Sequence, residues 1–187
     1  MSVMPTEASH REDGRPPPPT VLIIDGHPLF STAMRMALRA EGVDAHQIAG
    51  DDLDAILYAA SLSPPGVVLL ELGLLVDAVA QPVDAATLVS VLHRQGKRVL
   101  ILSGIRDEQS TAAAIAAGAI GALDKSISFE SLLCSLTQAA AGKPVMTENE
   151  RRRWHARHQH YHERQSRLSG TGKPPTRKAG LASRDLR

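Results

Sequence analysis

The chain has 187 residues, 43% hydrophobic and only 3% aromatic, with a single cysteine and a formal net charge of +1. That length fits one ordinary domain with tails, and its core must be aliphatic. One cysteine excludes a disulfide or a cysteine metal cluster, and no stretch approaches the ~20 consecutive apolar residues of a membrane helix.

Residues 1–19 lack apolar periodicity and end in four consecutive prolines, Pro16 to Pro19, which reads as a disordered N-terminal tail. Glu7, Arg11, Glu12 and Asp13 leave no apolar export segment there, so a cytoplasmic protein without membrane contact is expected. From Thr20 onward, short apolar runs alternate with helical stretches. A strand over 21–25 leads to a helix over 28–41, with Pro28 suited to its first turn and Gly42 to its stop. A weak strand at 45–48 precedes a helix over 52–61, capped by Asp51 or Asp52 and broken by Pro64-Pro65-Gly66. A strand at 67–72, a loop over 73–82, a helix at 84–95, a strand at 98–102, a helix at 107–117, a strand at 119–123 and a helix at 128–141 complete the alternation. Runs such as Val67-Val68-Leu69-Leu70 are apolar without alternation, as strands covered on both faces are. The expectation is a doubly wound α/β domain over 20–143, with a five-stranded parallel sheet in the flavodoxin-like order 2-1-3-4-5. Cys134, within Leu132-Leu133-Cys134, reads as a buried small hydrophobe.

A C-terminal extension helix is expected over 147–168, opened by a capping box of Thr147 and Glu150. Trp154, His158, Tyr161, Gln165 and Leu168 recur along it at four- and three-residue steps, a seam able to pair two chains or to pack back on the domain. His155, His158, His160 and His162 lack accompanying carboxylates or cysteines, so no metal site is assigned to them. The near-neutral total hides a polarity: residues 1–147 carry a net −6 and residues 148–187 a net +7. The basic tail over 169–187 reads as a solvated flexible segment more than as a nucleic-acid contact.

Four apolar runs end in single polar residues, Asp25, Glu71, Ser103 and, past a fifth-strand run, Lys125. In an open parallel sheet these lie at the carboxyl edge, where ligands bind. Val21-Leu22-Ile23-Ile24-Asp25-Gly26-His27-Pro28-Leu29-Phe30 resembles the first strand and turn of receiver domains in LuxR/NarL-class response regulators, in which two acids precede His-Pro. Pro65-Gly66-Val67-Val68-Leu69-Leu70-Glu71-Leu72 resembles the phosphoacceptor strand, Val99-Leu100-Ile101-Leu102-Ser103-Gly104 the hydroxyl-bearing strand, and Gly118 to Ser126 the lysine strand. The resemblance spans about residues 21–142 in order and spacing.

The resemblance implies a pocket that receives a phosphoryl group beside Mg²⁺, and this sequence departs from it. Gly26 stands where the second acid belongs, Glu71 replaces the aspartate, and Ala122 replaces the aromatic coupling residue, while Ser103 and Lys125 are kept. A carboxylate facing Lys125 partly imitates phosphate, although it has about half the charge. The expected function is an atypical response regulator, a pseudo-receiver of a LuxR/NarL-type transcriptional regulator, signalling by dimerisation or ligand or partner binding. The alternative is a stand-alone receiver-like protein that binds a kinase or regulator and not DNA. Glu71 and Lys125 read equally as a plain strand-end ion pair, and Asp25 as a turn cap or a metal-adjacent acid. His27 reads as positional, and Asp124 as a local partner of Lys125. No positioned nucleophile is evident, so no enzyme is expected, and neither a cofactor nor a metal is assigned. In the resembled family the extension is the linker helix, and the seam of Trp154, His158, Tyr161 and Leu168 is the candidate dimer contact along it. The linker joins a helix-turn-helix whose opening Leu181 to Arg187 resembles, but whose recognition helix is not evident in this chain.

Overall fold

Three uninterrupted apolar runs form the inner strands of a parallel sheet. The computed structural model describes residues 18–50, 52–62, 66–73, 84–104 and 108–170. In it β1 (Thr20–Ile24), β3 (Val67–Glu71) and β4 (Arg98–Ser103) lie between β2 (Asp44–Ile48) and β5 (Gly121–Asp124). The order is 2-1-3-4-5 and every neighbouring pair is parallel, as expected from the sequence. All five residues of β1 and of β3 are buried. Such strands need apolar side chains on both faces, which is why their runs do not alternate.

Successive strand residues feed opposite cores. Val21, Ile23, Val67, Leu69, Leu100 and Leu102 pack with helices α1 (Pro28–Ala40) and α5 (Phe129–Ala140). Leu22, Ile24, Val68, Leu70, Val99 and Ile101 pack with α2 (Leu53–Leu62), α3 (Ala85–Arg94) and α4 (Glu108–Ala116). Pro28 occupies the first turn of α1, and Gly42 follows its end at φ +78°, a backbone region glycine enters without steric cost. Asp52 caps α2 by accepting the Ala55 N–H at 3.0 Å; the alternative cap, Asp51, lies outside the described residues. Also outside them are residues 1–17 of the N-terminal tail, Pro64-Pro65, 74–82 of the expected loop, Asp107, and 171–187 of the basic tail.

Two details correct the sequence reading. Strand β5 starts at Gly121, two residues late, and the carbonyls of Ala119 and Ile120 before it accept hydrogen bonds from the Arg151 guanidinium, each at 3.0 Å. Cys134 is exposed, not buried. The buried row of α5 is Leu132, Leu136 and Ala139, and a residue two positions after Leu132 stands about 200° around the helix from it.

The extension is α6 (Glu148–Gly170), and it packs on α4. Its capping box forms: the Thr147 N–H donates to Glu150 Oε2 at 2.8 Å, and the Glu150 N–H donates to Thr147 Oγ1 at 3.2 Å. Among the described residues, no helix is long and apolar enough to cross a membrane.

Candidate functional site

Register and pleat decide which polar strand ends meet. Ile24 pairs with Leu70, so Asp25 and Glu71 leave adjacent strands side by side; Glu71 pairs with Leu102, and Leu102 with Leu123. Side chains alternate faces along a strand, so Asp25 follows Ile23, Glu71 follows Leu69 and Lys125 follows Leu123 onto the α1/α5 side. Ser103 follows Ile101 to the opposite side.

Glu71 is the hub on that side. It is 5% exposed, yet each of its oxygens is held: Oε1 by the Lys125 ammonium, and Oε2 by the Gly26 N–H at 3.0 Å. His27 Nδ1 lies 3.3 Å from the same Oε2 and 3.2 Å from Asp25 Oδ1. Asp25 is equally buried, and its Oδ1 accepts the His27 N–H at 2.6 Å, which tightens the turn between β1 and α1. Asp25 Oδ2 is buried without a hydrogen-bond partner. The His27 ring is mostly exposed, at 69% of its side chain. Beside these groups opens a cavity of about 380 Å³, walled by Leu29, Phe30, Leu102 and Leu132 and floored by Asp25 and Lys125.

The two carboxyls are pushed in opposite directions. Burial raises Asp25 above its ordinary carboxyl value, with the neighbouring Glu71 charge adding to the rise. Burial pushes Glu71 the same way, but the Lys125 hydrogen bond, the Gly26 N–H and the charges of Lys125 and His27 together outweigh it and hold the group low. Glu71 is thus favoured in its ionised form by Lys125.

Of the four strand-end residues, the structure brings Asp25, Glu71 and Lys125 together. Ser103 lines a separate cavity of about 260 Å³ with Ala122, Trp154 and Arg157, although its carbonyl accepts the Lys125 N–H at 2.8 Å. Asp124 pairs with its own turn, accepting the Ser126 N–H at 2.7 Å, and not with Lys125. His27, a turn residue by spacing alone, joins Asp25 and Glu71 as the third member of a grouping able to hold a metal ion. The signal for it in the sequence is its place two residues after Asp25 and directly before Pro28, which fixes the start of α1.

On the far face, α6 lays the first half of its seam on the domain. Trp154 packs against the core beneath α4, and Arg157 stands over the indole at 4.9 Å. Arg157 and the Tyr161 hydroxyl both reach Glu108 at 3.4 Å. His158 is half-buried and meets the His162 ring edge-on; burial, then His162 and His155, lower its pKa. Leu168 is 76% exposed.

No protein-family model matches the chain. It is 30% identical over 132 residues to the nitrate/nitrite response regulator protein NarL of Escherichia coli, in strain K12 and in a second strain; the match covers 70% of this chain and 59% of NarL. The chain therefore spans 59% of the length of the curated relatives it matches. Full-length FixJ from B. japonicum superposes with a TM-score of 0.55 at 20% identity, covering 65% of this chain and 57% of that one. The receiver domain of NtrX from Brucella abortus gives 0.54 at 20% identity, covering 65% and 98%. A response regulator from Burkholderia pseudomallei, with a phosphorylated aspartic acid, calcium ion and citrate, gives 0.52 at 22% identity, covering 66% and 69%. These structures share the fold of this chain.

Proposed function

We propose that this α/β unit, 30% identical to NarL over 132 residues and with the strand order 2-1-3-4-5, is a response-regulator receiver domain, and that the chain belongs to an atypical response regulator whose output does not run through phosphorylation of a carboxylate. The observation that carries this reading is the contact of the Lys125 ammonium with Glu71 Oε1. In the receiver pattern that ammonium answers the charge of an incoming phosphoryl group. Here a resident carboxylate answers it, and the other oxygen of Glu71 is tied to the Gly26 N–H. A carboxylate engaged at both oxygens is a poor nucleophile toward phosphorus.

The metal implied by the family is a second test of the pocket. Mg²⁺ demands near-ideal octahedral oxygen coordination at about 2.0–2.1 Å. The position of the second acid is Gly26, which contributes a backbone donor, and the third group beside the two carboxylates is the His27 imidazole. These residues do not fit Mg²⁺.

For the whole regulator, the proposal is a cytoplasmic homodimer that acts on transcription through a helix-turn-helix, without an obligatory kinase partner. Its output element is α6, whose seam of Trp154, His158, Tyr161 and Leu168 serves a second copy once it leaves α4. No enzymatic turnover is part of the proposal. The experiment is incubation of the protein with acetyl phosphate and Mg²⁺, followed by intact mass, with an ordinary receiver as positive control. The expected result is an unchanged mass. Stable incorporation at Glu71 overturns the reading.

A further inference from the structure

We propose that Asp25, His27 and Glu71 form a binding site for a divalent transition-metal ion of the zinc type, in place of the Mg²⁺ site of the family. Three ligand atoms, one from each residue, lie within 4.8 Å of one another. His27 Nδ1 is 3.2 Å from Asp25 Oδ1 and 3.3 Å from Glu71 Oε2. Ligands held about 2.0–2.1 Å from a tetrahedral zinc ion are separated by roughly 3.3–3.4 Å. The two spacings from His27 are therefore those of a zinc coordination edge, and the third pair lies within 4.8 Å.

A second, independent observation points to a cation. Asp25 is 3% exposed, and its Oδ2 is buried with no hydrogen-bond partner, beside a cavity that the same residue lines. A buried carboxylate oxygen without a donor carries a desolvation penalty that a bound cation removes.

Ligand chemistry selects the ion. Carboxylate and water suit Mg²⁺, whereas imidazole suits zinc and its neighbours in the first transition row. An acid at position 26 would supply oxygen; Gly26 supplies only its N–H, which orients Glu71 Oε2 toward His27. Lys125 fixes the other oxygen, so Glu71 is held in place before a metal arrives. The exposed side of the His27 ring gives the ion its entry and leaves room for water as a further ligand.

The proposal rests on the same reading of the pocket as unfit for Mg²⁺, but its test contains no phosphodonor, so the two can fail separately. The full chain, stripped with chelator, is titrated with Zn²⁺ and with Mg²⁺ by calorimetry, and with Co²⁺ by visible absorption. Expected are one zinc ion per chain at the pocket, Mg²⁺ weaker by about a hundredfold, and the intense visible bands of low-coordinate Co²⁺. Replacing His27→Ala should weaken zinc about tenfold or more, a loss of the size seen when metal sites lose part of their support. The double variant His158→Ala/His162→Ala should leave that binding unchanged, which separates the pocket from the histidines of α6. Mg²⁺ binding as tightly as zinc, a His27→Ala variant with unaltered affinity, or loss of zinc in the α6 double variant would each overturn the proposal. So would weak, six-coordinate Co²⁺ bands in the unsubstituted chain, a result that depends on no variant folding.

Discussion

Replacing Lys125 by methionine keeps the apolar stem and removes only the charge, leaving Glu71 buried without its main counterion. Removing one partner of a fully buried ion pair costs about 3–5 kcal/mol. Glu71 is enclosed, with 6% of its side chain exposed, but the Lys125 side chain is 33% exposed, so solvent and the Gly26 N–H recover part of the loss. The expected destabilisation at neutral pH is about 1.5–3 kcal/mol. Its pH dependence identifies its origin. With Lys125 present, Glu71 lies below its ordinary value, so the stability it contributes is fully present above the unfolded carboxyl value of about 4.3 and is lost as pH falls through the lower folded value. Without Lys125, burial is no longer outweighed and Glu71 rises, so the deficit of the variant should close once that carboxyl is protonated. Urea unfolding followed by circular dichroism, at about pH 7 and about pH 4.5, measures both, since urea does not screen charge. A further Glu71→Gln change on top of Lys125→Met should restore most of the loss at neutral pH. An equal deficit at both pH values would mean that packing, and not the ion pair, was removed; no deficit at neutral pH would refute the reasoning outright.

Asp25→Asn should act in the opposite sense. The folded carboxyl is raised by burial, so the ionised form destabilises the fold at neutral pH; the amide should raise the urea midpoint there, and the gain should vanish as pH falls through the raised value. Arg151→Ala removes both donors to the Ala119 and Ile120 carbonyls and should cost about 1–2 kcal/mol, with faster amide hydrogen exchange in α6. Trp154→Ala, at a half-buried site, should cost about 2 kcal/mol, roughly half the value for a fully buried aromatic, and should release the same helix. Gly66→Ala would drive a Cβ into the Thr20 carbonyl oxygen just before β3 passes β1; a loss of about 1–3 kcal/mol in thermal unfolding is expected.

The strand order and the pairing of Glu71 with Lys125 were legible because apolar runs and their polar ends are local signals. The place of Ser103 was not, and the reason is register. Asp25, Glu71 and Ser103 each follow a run of four apolar residues, so equal counting puts them on one face. In the sheet, Val67 pairs with Arg98 and not with Val99, a stagger of one residue. One residue of stagger reverses the face of every side chain, and Ser103 lands on the α4 side while Arg98 turns toward α5, where it donates to the Ala139 carbonyl at 2.8 Å. Pairing register is a property of two strands and is written in neither alone. The docking of α6 was half legible for a similar reason. Its seam and capping box are in the sequence, but Arg151, three residues before Trp154 on the same helical face, looks like a solvated charge until the carbonyls it serves are known.

The stagger has a functional consequence. The acidic pocket and the Ala122 position lie on opposite faces of the sheet, joined through the paired ends of β4 and β5, where Ser103 faces Asp124 and the Lys125 N–H meets the Ser103 carbonyl. An aromatic residue at position 122 would belong to the sheet and would move with β5. Alanine leaves that space to a ring from elsewhere, and Trp154 lines it with Ser103 and Ala122. Trp154 belongs to α6, so on the proposed reading the state of this face follows that helix. The two alterations then belong together. A Lys125 already engaged by Glu71 has no phosphoryl group to answer, and a face completed by α6 answers to whatever binds or releases that helix.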